Sequence, residues 1–232
     1  GGGGGGAAPR GGALHGHLRA GARTVLDLAC GTGIVTTRLH RPGRAVVGVD
    51  RSAGMAAVAA GRLPRRVVLG DAARLPVGAA RLDAVVLVWL LHLLDDAEPV
   101  LAEAARVLRP GGRLVTTVDK DRAAFTTDSD IARLTAPLRR EHAAGAADRP
   151  DRIAALAHGL GLRPAGETAF RGTGQGRSPR AWRTAVEAGR IPWARAAGLE
   201  RAAALCRDLA ALPDQDRPRP DPQYRLLALQ RA

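Results

Sequence analysis

A chain of 232 residues, 46% of them hydrophobic, holds enough apolar material for one α/β domain with a good core, and wholesale disorder is excluded. The formal net charge of +13 comes almost wholly from arginine, since Lys120 is the only lysine and asparagine is absent; GC-rich codon usage produces that pattern whatever the partner. Aromatics make up only 3%, and no basic tract is interleaved with them, so a nucleic-acid substrate is not expected. The longest apolar run, residues 84–94, is shorter than the roughly 18–20 residues of a membrane span and contains His92, which argues against a transmembrane segment.

Residues 1–13 are rich in glycine and alanine and read as a flexible tail. The tail has no apolar segment of a secretory signal, and a cytoplasmic location is expected. Two cysteines, Cys30 and Cys206, make no disulfide framework and suit a reducing compartment. A short helix is predicted over 15–20, a compact apolar strand over 24–28, and a helix starting over 34–39. A second strand spans 45–49 and stops at Asp50; the helix after it, 52–61, has Ser52 as its N-cap. Residues 67–69 form a third strand and 82–89 a fourth, continuously apolar as a strand buried on both faces should be. A helix over 99–108 ends at Arg109-Pro110-Gly111-Gly112, and 113–118 is the fifth strand. Beyond it come helices over 128–144 and 152–160, the latter with Gly161 as C-cap, and a strand over 162–170. Amphipathic helices over 179–188 and 199–212 are joined by the link 189–193. A Pro-rich link, 213–222, leads to a closing strand at 224–229.

Strands alternating with helices at this spacing imply a parallel, doubly wound sheet with ligands beyond the carboxyl ends of its strands. Asp27 and Gly31 follow the first strand, Asp50 the second, Asp71 the third and His92 the fourth. The glycine-rich turn departs from the dinucleotide fingerprint, because Thr36 stands where a third glycine belongs. Asp27 says more. A carboxylate ahead of the glycines would repel a pyrophosphate at the helix N-terminus and attract a cation. S-adenosylmethionine carries an α-ammonium and a sulfonium. Asp50 can take both ribose hydroxyls, although a turn aspartate before a helix would look the same. Asp71 can accept from the adenine amino group or serve as a solvated turn residue, and Met55 can pack on adenine or fill the core.

Val25-Leu-Asp-Leu-Ala-Cys-Gly-Thr-Gly33, Val46-Val-Gly-Val-Asp50 with Ser52 and Met55, and Gly70-Asp-Ala-Ala-Arg-Leu-Pro76 resemble successive motifs of class I S-adenosylmethionine-dependent methyltransferases. The stretches 82–95 and 104–114 continue the match in order, over about residues 24–118. The subgroup resembled includes quinone-biosynthesis enzymes and small-molecule methyltransferases of actinobacterial secondary metabolism. The resemblance implies a Rossmann-like sheet of seven strands, order 3-2-1-4-5-7-6, the last strand antiparallel, with helical lid insertions. It implies a single domain over 14–232, with its core at 24–120 and with lid and acceptor-site segments at 121–145 and 172–222. By the same resemblance Asp27, Gly31 and Gly33 would hold the methionine portion, Asp50 the ribose, and Asp71 with Ala72 the adenine; Ala29, Thr32, Arg51 and Met55 complete the expected cofactor-binding set. Val88 and Trp89 would close the cofactor pocket, and S-adenosylhomocysteine would be the product.

Methyl transfer is an in-line displacement in which the protein aligns donor and acceptor, excludes water and can remove a proton. His92 is the candidate general base or acceptor-binding group, against packing in an apolar segment. His142 and His158 are weaker candidates. Trp182, Trp193, Phe125 and Phe170 could line an apolar acceptor pocket, with Arg171, Arg177 or Arg180 meeting an anionic group, although each such residue is more often simply core or surface. The chain lacks the Asn/Asp-Pro-Pro-aromatic motif of base amino-methylation, a Pro-Cys nucleophile, and the asparagine of metal-dependent catechol enzymes; no metal site is expected. A small-molecule acceptor and a monomer or homodimer are expected. A cofactor-binding protein that catalyses a non-methylating cyclisation and a methyltransferase of RNA or protein are the alternatives.

Overall fold

The computed structural model describes residues 11–142 and 146–232. The first ten residues of the expected tail lie outside the described residues, as do the last positions of the helix expected over 128–144. Elements follow in the order α1 (Gly11–His17), β1 (Thr24–Leu28), α2 (Ile34–Leu39), β2 (Ala45–Asp50), α3 (Ala53–Arg62), β3 (Val67–Leu69), β4 (Leu82–Leu87), α4 (Glu98–Val107) and β5 (Leu108–Val118). Then come α5 (Asp130–His142), α6 (Pro150–Gly159), β6 (Leu162–Arg171), α7 (Pro179–Glu187), α8 (Pro192–Ala196), α9 (Leu199–Ala211) and β7 (Gln223–Arg231).

The described residues divide into two compact units. The larger comprises 11–120, 147–170 and 224–232; the smaller comprises 121–142, 146 and 171–223. In the larger unit the sheet runs β3-β2-β1-β4-β5-β7-β6. Strands β1 to β5 are parallel, and β7 pairs antiparallel with β5, Leu114 opposite Leu229. That is the order and orientation expected from sequence. Alternate residues of each central strand face opposite ways. Leu26, Leu28, Val85, Leu87 and Leu114 pack with α4 and α6, while Val25, Ala84, Val86 and Val115 pack with α1 and α2. All nine side chains are buried, which is why these strands read as unbroken apolar runs.

Four local departures have physical causes. The first helix starts at Gly11 and ends at His17, with Leu14 fully buried as its anchor. Strand β4 stops at Leu87, because Trp89 turns into the left-handed region, φ +60°, and a 3-10 turn follows at Leu91–Leu93. Strand β5 begins at Leu108, but its pairing slips from Leu82–Leu108 to Ala84–Arg113, so 109–112 is an excursion before regular pairing. Helix α8 occupies part of the expected link 189–193; five residues opened by Pro192 are too few to show a helical period.

The smaller unit has its own core of Ile131, Trp182, Val186, Ile191, Trp193, Leu205 and Leu209. Arg219 fixes the Pro-rich segment after α9. Its Nε and Nη2 donate to both oxygens of Asp130 at 2.8 and 2.6 Å, and its remaining N–H groups donate to the carbonyls of Pro213, Asp214 and Arg217. With Arg219 only 14% exposed, replacement by methionine strands a carboxylate and three carbonyls. Arg219→Met is expected to cost about 2–4 kcal/mol in denaturant titration and to speed amide exchange across 213–222. Lysine should rescue little, since it lacks the planar fork.

Candidate functional site

The strand order reverses between β1 and β4, which opens a crevice at the carboxyl ends of these strands. The turn 29–33 leaves β1 there. Ala29, Gly31 and Gly33 all take positive φ, at 54°, 55° and 78°. At Gly33 an added Cβ would press on Leu63 and Ala59 at 3.1–3.2 Å, so close packing of α3 requires glycine. At Gly31 nothing of the protein lies within 4 Å of that position, and the cradle is open for a ligand. Gly48 lets β2 pass beneath the turn, where a Cβ would meet Cys30 Sγ at 2.7 Å.

Two carboxylates hold the turn. Asp50, at the end of β2, accepts from Gly31 N–H at 2.8 Å through Oδ2 and from Ser52 N–H at 2.8 Å through Oδ1. Asp27 is 1% exposed, and its Oδ2 accepts from the Thr36 hydroxyl at 2.6 Å. Burial, with the Asp50 charge adding to it, raises the Asp27 pKa to about 7 against the pull of Thr36. Burial and the same two carboxylates push the Cys30 thiol up to about 12, so it is no nucleophile. Asp27, placed ahead of the glycines in the sequence, lies buried beneath the turn. Thr36, noted in the sequence only as a missing glycine, is its partner.

The remaining positions are mixed. Thr32 offers its carbonyl to Arg62, and Arg51 is exposed. Ser52 Oγ caps α3 by accepting from Met55 N–H, while Met55 itself is 45% exposed and is not core filler. Asp71 is exposed, and its Oδ1 accepts from Ala73 N–H, the turn role weighed for it. Ala72 is half-buried against the core that packs on α4 and α6, and Val88, 7% exposed, belongs to the separate core on the α1–α2 face. Trp89 N–H donates to Thr117 Oγ1 at 2.8 Å, and its ring stands edge-on to Tyr224. His92 has its pKa driven down to about 3, by burial first and the Lys120 charge second. A histidine so depressed is neutral near pH 7 and a weak base.

The aromatic and arginine candidates resolve differently. Phe125, Trp182 and Trp193 stack together at 5.2–6.5 Å in the core of the smaller unit, with the two tryptophans 7% and 4% exposed. They are packing residues. Phe170 is buried and stacks on Tyr224. Arg171 pairs with Asp221 and Arg180 with Asp216, while Arg177 lies over the Trp182 ring, so none is held ready for an anion. His142 sits beside Glu141, and His158 is on the exposed face of α6.

A parallel sheet with this switch point, and a glycine turn resting on two carboxylates, make a Rossmann-like domain. Residues 26–116 match the family model described as a methyltransferase domain. Over 92 residues the chain is 49% identical to a demethylmenaquinone methyltransferase of Mycolicibacterium paratuberculosis, a match covering 39% of each protein. The chain thus spans about two-fifths of the length of that relative. Among solved structures, YcgJ of Bacillus subtilis superimposes with a TM-score of 0.60 at 17% identity, covering 96% of this chain and 98% of that one. Geranyl diphosphate C-methyltransferase of Streptomyces coelicolor A3(2), solved with S-adenosyl-L-homocysteine, gives 0.55 at 20% identity, covering 96% and 76%. Both show the fold. Among the described residues no helix is long and apolar enough to cross a membrane.

Proposed function

We propose that this chain is an S-adenosylmethionine-dependent methyltransferase acting on a small-molecule acceptor. The observation that carries the proposal is the pair Asp27 and Asp50 around the open Gly31 cradle. A phosphate-bearing cofactor would be repelled there, whereas a cationic amino-acid nucleoside is attracted. S-adenosylmethionine supplies a methyl group already activated by its sulfonium. Asp50 has lone pairs beyond those used by Gly31 and Ser52 and takes the ribose hydroxyls. Asp27 supports the turn and places its charge beneath the amino-acid end. Met55 and Ala72 flank the adenine, and Asp71 has a second oxygen for its amino group.

Likeness to demethylmenaquinone methyltransferases favours a flat, quinone-like acceptor. His92 orients that acceptor rather than taking its proton, since a base with a pKa of about 3 gives little driving force near pH 7. The test is calorimetric. The purified chain is expected to bind S-adenosylmethionine and S-adenosylhomocysteine with micromolar affinity and to bind NAD not at all. Binding of NAD, or of neither sulfur nucleoside, overturns the proposal.

A further inference from the structure

Strand β3 ends one side of the sheet, and among the described residues β2 is its only neighbour. Their parallel register, Gly48–Val67, Val49–Val68 and Asp50–Leu69, decides which backbone groups are used. Gly48 N–H donates to Arg66 O at 2.9 Å, and Gly70 N–H donates to Asp50 O at 3.0 Å. Alternate residues of a parallel strand bond the same neighbour, so Arg66, Val68 and Gly70 turn toward β2. The N–H and C=O groups of Val67 and Leu69 therefore point outward, and nothing among the described residues meets them. Edges of this kind are ordinarily blunted by a charge, a proline or a covering element. This one is Val67-Val68-Leu69, with Val68 40% and Leu69 61% exposed. Helix α3, packed beside β3, adds the exposed side chains of Met55 and Val58.

We propose that β3 is a dimerisation edge, pairing antiparallel with β3 of a second copy of this chain about a two-fold axis at Val68. The proposal does not depend on the methyltransferase reading. In this register Val67 lies opposite Leu69 of the second copy, and the two exchange both backbone hydrogen bonds. The outward groups of one strand thus satisfy those of the other. Val68 meets its own copy across the axis as a non-hydrogen-bonded pair, with Cα atoms about 4.5 Å apart. A shift of the axis to Val67 would set Leu69 against Arg65, whose φ of 59° is not that of a strand. Charge selects the same arrangement. Exposed Arg65 and Arg66 precede β3, and exposed Asp71 follows it. Antiparallel pairing brings the arginine end of each strand to the aspartate end of the other, whereas parallel pairing would set arginine against arginine. The two-fold also closes the assembly at two copies, so the edge does not propagate into a fibre.

Sedimentation velocity of the full chain over a concentration series is expected to show a reversible dimer with a dissociation constant in the micromolar range, as suits so short an edge. Leu69→Pro removes an outward N–H that β2 does not use, and should raise that constant at least about tenfold. Val68→Lys leaves the backbone untouched and sets two ammonium groups against each other at the axis; it should weaken the dimer as much and covers the case in which the proline variant fails to fold. Val68→Cys should give a disulfide-linked dimer on mild oxidation, because the axial pair lies within disulfide reach. The parent chain, which carries Cys30 and Cys206, is the control for cross-linking elsewhere. A chain that stays monomeric throughout, its edge left to solvent or to another protein, overturns the inference. So does a dimer undiminished in Val68→Lys, or a Val68→Cys chain that cross-links no more than the parent.

Discussion

Replacement of Asp50 by alanine is expected to weaken S-adenosylmethionine binding by at least about a hundredfold, read by calorimetry. Two separate losses combine. The ribose hydroxyls lose a charged acceptor, and charge-assisted hydrogen bonds of this kind contribute about 1.5–3 kcal/mol each. The turn also loses its tether, because the same carboxylate holds Gly31 N–H and Ser52 N–H at 2.8 Å. Gly31 at φ 55° has no packing partner of its own near the Cβ position, so the tether is a main restraint on its conformation. Asp50→Asn should be intermediate, since the amide keeps one accepting oxygen but points N–H groups at a backbone donor. A variant that binds as tightly as the parent would show that the ribose lies elsewhere.

The halves of the chain differed in how far they could be read from sequence. Strands β1, β2, β4 and β5 were legible because parallel strands buried on both faces must be apolar throughout, and Gly, Pro and Asp punctuate their ends. Asp50 was legible for a similar reason, since its position after a strand fixes which end of the sheet it occupies. The Asp27–Thr36 contact was not, because the residues are nine apart and meet only once α2 folds back over β1. Trp89 was invisible as a special residue: Val88-Trp89-Leu90 continues the apolar run, and nothing local announces a left-handed turn whose backbone N–H is held by a threonine on the neighbouring strand β5. For Trp182 and Trp193 the sequence left pocket and core both open. An aromatic side chain has the same sequence signature in a core as in a pocket, and only their mutual stacking separates the two.

Asp27 is expected to make the apo protein less stable as pH rises and the bound protein more so. Its folded pKa of about 7 lies above the usual carboxylate value near 3.8. The folded chain therefore binds this proton more tightly than the unfolded chain between those values. The stabilising term is complete below about pH 4, is lost progressively as pH rises through about 7, and amounts to roughly 4 kcal/mol at most. Asp27→Asn removes the titration, so the variant should exceed the parent in stability at pH 8 and lose that advantage near pH 5, as followed by urea denaturation. A cationic ligand reverses the sign, because it favours the ionised carboxylate beneath it. Affinity for S-adenosylmethionine should then rise by up to about tenfold per pH unit from about pH 5.5 to 7, below the range in which the ligand's own α-amino group titrates. Binding near pH 6 should release a proton, detectable as a buffer-dependent heat. Affinity that is flat over that range, with no proton released, would mean that Asp27 does not sense the ligand's charge. The asparagine variant should be the more stable protein and the weaker binder, which is the expected signature of a charge kept buried for its ligand rather than for the fold.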